Sequence, residues 1–136
     1  MKTLKVIGVV LWAFGTFALP RLAPAALYDG SVPLLCAPAT IMECEAVGGC
    51  QRSTGEITNL PPFVKVNLKA MQISTMDEGR TSPIKHMERL DGKIILRGGE
   101  GARAWTVIVS EATGRMSAAV SAEEHGFLIF GACTPL

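Results

Sequence analysis

Cys36, Cys44, Cys50 and Cys133 are the residues whose type and spacing most directly constrain the chemistry of this 136-residue chain. A structural zinc site usually brings its ligands in closely spaced pairs, whereas these intervals are wider and Cys133 stands alone near the C-terminus. The two-residue spacing of a redox dithiol is also missing. An even number of cysteines in an oxidising compartment predicts two disulfides, for which three connectivities exist. In "CEAVGGC", Gly48 and Gly49 can take positive φ and turn the chain inside a short ring. That favours Cys44 with Cys50, and leaves Cys36 to bridge the start of the domain to its end through Cys133.

Other reactive groups are sparse. His86 falls in an expected strand beside Lys85, Glu88 and Arg89, and His125 in an expected turn; neither accompanies a nucleophile motif. "GRMSAAVS" lacks the glycine spacing of a nucleophile elbow, and "GGEG" lacks the Lys-Ser/Thr of a phosphate loop. Glu43 and Glu45, two apart in a strand, share a face and read as solvated charges on a sheet. An enzyme would have to assemble its site from loop residues such as Asp29, Arg80 and His86, and the inventory leans against one. No metal or cofactor is expected. Trp105 is the candidate binding residue: its simplest role is core packing, and its functional role would be to line the mouth of a barrel against a small apolar ligand.

The N-terminal stretch "MKTLKVIGVVLWAFGTFALPRLAPAAL" sets Lys2 and Lys5 before an apolar run, Val6 to Leu19, and small residues Ala23, Ala25 and Ala26 after it. This is the layout of a cleaved secretory signal, expected to occupy residues 1–26. The run is shorter than the roughly 20 residues that span a bilayer, so no membrane span is expected after cleavage. Removing Lys2, Lys5 and Arg21 lowers the 13 basic residues to 10 against 12 acidic ones, a net charge of about −2. Basic residues are scattered, which argues against nucleic acid as a partner. The expected location is the periplasm or the exterior.

The remainder, 27–136, suits a single domain, and its periodicity is that of strands. "LYDGSVPLLCAP" reads as an entry segment, "ATIMECE" and "CQRSTGEI" as a hairpin, and "FVKVNL" as a strand following Pro61 and Pro62. "IKHMERL" and "KIILRG" flank Asp91-Gly92, a strong two-residue hairpin signal. After the glycine-rich loop "GGEGA" come "AWTVIVS", the turn "EATG", "RMSAAVS", and "FLIFGAC". Seven to nine short strands and no sustained helix predict an all-β antiparallel meander, barrel-like or sandwich, stapled by disulfides. Trp105, Phe63, Phe127 and Phe130, with Met42, Met71, Met76, Met87 and Met116, are the expected core fillers.

The series "PLLCAP", "NLPPFVKVNL", "WTVIVSEATGRMSAAVS" and "GFLIFGACTP" resembles a family of small exported proteobacterial proteins without an assigned activity. The most specific parts are the Trp strand, the Thr-Gly turn and the terminal Gly-x-Cys. The resemblance implies bacterial export and an all-β domain, and carries no catalytic residue across. Function is therefore expected to be non-enzymatic, the binding of a periplasmic or envelope protein. Inhibition of a periplasmic hydrolase and small-ligand binding in a barrel are the alternatives, with a loop-built enzyme behind them.

Overall fold

Extended segments whose side chains alternate between buried and exposed, broken by left-handed turn residues, make nine strands and one helical turn in the computed structural model, which describes residues 27–136. The signal segment assigned to residues 1–26 lies outside the described residues. The elements are β1 (Leu34–Glu45), β2 (Gly49–Ser53), α1 (Gly55–Thr58), β3 (Val64–Asn67), β4 (Gln72–Thr75), β5 (Thr81–Leu90), β6 (Lys93–Glu100), β7 (Arg103–Ser110), β8 (Arg115–Ser121) and β9 (His125–Pro135). From β3 to β9 each strand pairs antiparallel with the next, and β9 returns to pair with β1 along nearly all of both strands. That last pairing closes an eight-stranded barrel of β1 and β3–β9, so the sheet is not split into a sandwich.

β1 serves two neighbours on its other edge. Leu34–Cys36 pair with β3 and complete the barrel, whereas Ile41–Glu45 pair with β2 in a hairpin that flanks it. The change falls at a bulge between Pro38 and Thr40, where proline cannot donate to a ladder. The bulge also shifts the inward register from even to odd numbers, so that Leu34 and Cys36 before it and Ile41 after it all face the core. Opposite the bulge the backbones come so close that a Cβ on Gly131 would lie 2.2 Å from the Ala37 carbonyl oxygen.

Two bridges tie this framework: Cys36 to Cys133 and Cys44 to Cys50. In each the partners stand directly opposite on paired strands. The first is part of the core, with Cys36 fully buried among Leu34, Val66, Ile94, Leu96 and Val109. These side chains fill one end of the barrel. The entry segment caps that end: Tyr28 N–H donates to the Glu111 carbonyl, and Arg89 donates to the Asp29 carbonyl and pairs with Glu111. Gly30 sits so close to Leu68 that a side chain there would collide with it. The C-terminus lies at the same end, where the Leu136 N–H donates to the Pro33 carbonyl.

Several sequence expectations are corrected. Leu34, Leu35 and Cys36 belong to β1 rather than to an entry loop, because Leu34 and Cys36 are needed inside the barrel. Gly98, Gly99 and Glu100 continue β6, and only Gly101-Ala102 turn. Thr54 caps a helical turn at Gly55–Thr58 by accepting from the Ile57 N–H, where a hairpin strand was expected to continue. Phe63 and Phe130 are about half exposed and are not core. Their register explains it: Val64 and Val66 take the inward positions of β3, and Ile129, Gly131 and Cys133 those of β9. Of the methionines, Met116 is buried, while Met76 and Met87 are exposed.

A candidate ligand-binding cavity

The barrel narrows unevenly because its two ends receive side chains of different size. Toward the termini, large aliphatic residues meet across the axis. At the other end Ala118, Val120 and the half-buried Trp105 leave a cavity of about 830 Å³. Its walls are apolar: Val64 and Val66 from β3, Ile73 from β4, Val107 from β7, Met116 and Ala118 from β8, Phe127 and Ile129 from β9. Its rim consists of the β4–β5, β6–β7 and β8–β9 turns together with α1 and the segment following it.

Trp105 is held in the wall by two features. It pairs with Gly98 across β6 and β7, and a Cβ at Gly98 would lie 2.1 Å from Trp105 Cζ2 and 2.6 Å from the Pro83 carbonyl oxygen. The missing side chain lets the indole lie across β6 toward β5. There Trp105 Nε1 donates to Ser82 Oγ at 3.0 Å, and Ser82, opposite Ile73, occupies the inward register of β5. A largely apolar wall thus carries the Trp105–Ser82 pair.

At the rim, Arg80 Nη1 donates to the Asn59 carbonyl at 3.0 Å. This fastens the end of α1 over the β4–β5 turn, with Asn59 in the left-handed conformation that ends the helical turn. Within the β4–β5 turn the Asp77 carboxyl is held below its ordinary value by hydrogen bonds from the Thr75 hydroxyl and the Gly79 N–H. The β8–β9 turn brings Glu123, Glu124 and His125 to the rim, His125 edge-on to Phe127 at 5.6 Å. The β1–β2 hairpin attaches here, its Ala46 N–H donating to the Glu124 carbonyl.

The residues from which an enzyme site would have been assembled are dispersed. Asp29 lies at the capped end, Arg80 at the rim, and His86 on the outer surface 3.5 Å from Glu88. Glu43 and Glu45 keep a common face on β1, opposite Phe127 and His125. Among the described residues no three His, Cys, Asp or Glu side chains gather as a metal site. The arrangement can bury an apolar molecule and offer it a hydrogen bond from Ser82, and Ser74, 2 % exposed with no partner for its hydroxyl, borders the same cavity. Among the described residues it brings no nucleophile together with a base.

Trp105 stood out in the sequence as a candidate; Ser82, Gly98 and α1 did not. A signal for Gly98 was present, since a two-residue turn at Gly101-Ala102 would have aligned Gly98 with Trp105. No protein-family model, curated protein or solved structure matches this chain.

Proposed function

We propose that this chain is an exported barrel that binds a small apolar ligand at the end of the barrel away from its termini. The observation that carries the reading is the apolar cavity walled by Trp105, Phe127 and Ile129 in a barrel whose other half is packed solid. The signal-like leader and the two disulfides support export to the periplasm or beyond. The test is titration of the oxidised protein with N-phenyl-1-naphthylamine, a neutral dye that brightens in apolar surroundings. Saturable one-to-one binding is expected, with Ala118→Phe, which puts a phenyl ring into the cavity, weakening it at least tenfold. A dye response that is linear, or equal in the two proteins, sinks the reading.

A second reading, contact with an envelope protein, draws on the β1–β2 hairpin. Its turn is clasped by Cys44–Cys50 and leaves Val47 91 % exposed. The "GGEGA" segment, by contrast, lies mostly within β6 and offers no protruding loop for hydrolase inhibition. Capture of envelope proteins by the wild type and by Val47→Asp separates the readings: a partner lost on substitution favours the hairpin.

A further inference from the structure

We infer that the ligand carries a hydrogen-bond acceptor, a carbonyl or ether oxygen, that sits on the Ser82 hydroxyl within an otherwise apolar and uncharged body. The inference rests on the proposed cavity and names the chemistry of its occupant. Ser82 Oγ accepts from Trp105 Nε1, and a hydroxyl in that role directs its own proton elsewhere. Among the described residues no protein acceptor takes that proton. Ser82 borders the cavity between Ile73 and Trp105, so the open donor faces the space a ligand would fill.

Water can satisfy the donor when no ligand does. A hydrocarbon that displaces the water forfeits the bond, whereas a carbonyl oxygen restores it. Charge is excluded for a separate reason. The cationic side chains bordering the cavity, Arg80 and Arg103, both belong to rim turns; Arg80 is engaged by the Asn59 carbonyl, and Arg103 stands opposite Glu100. Among the described residues no Lys or Arg stands among the apolar walls to neutralise an inserted carboxylate, and Glu123 and Glu124 add negative charge at the entrance. Gly98 belongs to the same device, since the open lane above it lets the indole reach Ser82 and commit the hydroxyl as a donor toward the cavity.

The experiment is displacement of N-phenyl-1-naphthylamine by two ligands of matched shape, 2-acetylnaphthalene and 2-ethylnaphthalene. It is run on the oxidised wild type, Trp105→Phe, and the double variant Ser82→Ala/Trp105→Phe. Trp105→Phe keeps the Ser82 donor, and the double variant removes both polar groups without freeing an indole N–H to replace the hydroxyl. The ratio of the two affinities is compared within each protein, which cancels the different water solubilities of the ligands. Relative to the ethyl compound, the acetyl compound should lose roughly threefold to tenfold between Trp105→Phe and the double variant, which differ only in the Ser82 hydroxyl. Ratios equal in all three proteins would overturn the assignment to Ser82 while leaving the cavity reading intact. Failure of both ligands and the dye to bind the wild type would instead remove the cavity reading itself.

Discussion

Removal of the Cys36–Cys133 bridge should cost this domain far more than removal of Cys44–Cys50, although both bridges join residues directly opposite on paired strands. The difference lies in the unfolded chain. The first bridge closes a separation of 97 residues and the second one of 6. Loop-closure entropy at 25 °C then assigns about 4.7 kcal/mol to the long loop and about 2 kcal/mol to the short one. In the folded barrel the long ladder of β1 with β9 keeps its register without the bond, so the native state should survive but at lower stability. Because Cys36 is 0 % and Cys133 6 % exposed, alanine is the right replacement; serine would bury two hydroxyls in an apolar core and add a second penalty. The assay is urea unfolding of Cys36→Ala/Cys133→Ala and Cys44→Ala/Cys50→Ala, followed by Trp105 fluorescence. With a slope of about 1.5 kcal/mol per M, the midpoint should fall by about 3 M in the first and by about half that in the second. Since net stabilities of such domains are about 5–15 kcal/mol, the first variant stands near the limit of folding. Equal losses in the two variants, or a loss below about 1 kcal/mol in the first, would refute the entropy argument and leave the β1–β9 ladder as the effective clasp.

Gly98→Ala should move Trp105, because the new Cβ would meet both the indole and the Pro83 carbonyl. A loss of about 1–3 kcal/mol with red-shifted tryptophan emission is expected, and unchanged emission and stability would mean that the indole does not lie over β6. The β4–β5 turn should loosen in acid: Asp77 is held below its ordinary value of 3.8, so its contribution is complete above pH 3.8 and is lost as pH falls through the folded-state value. Asp77→Asn should therefore remove that acid-side change in protection of the Gly79 amide, and an identical pH profile in the variant would count against the carboxylate as the cause.

Much of the fold was legible because strand signals are local. Asp91 and Gly92, both at positive φ, impose a turn whatever surrounds them, and the alternation Trp105, Val107, Val109 places those residues on one face by the geometry of an extended chain. The site was less legible because cavities arise between strands. Gly98 looks like a loop residue until its partner across the ladder is known to be Trp105, and Ser82 is an ordinary serine until the indole reaches it from two strands away. Phe130 looked like core by hydrophobicity alone, but inward positions of β9 are decided by register against β1 and β8, and the phenyl ring falls on the other face.

By itself, then, the sequence determined the strand-rich class, the positions of its sharp turns and the even set of cysteines, since each depends on neighbours along the chain. Only the tertiary structure decided closure. The pairing of β9 with β1 joins residues at opposite ends of the domain, turns a meander into a barrel, and leaves the space between Ser82, Trp105 and Phe127 unfilled. Which side chains meet across that axis depends on the bulge in β1 and on the stagger of the closed sheet. Those are properties of the strands together, which no single segment of the chain encodes.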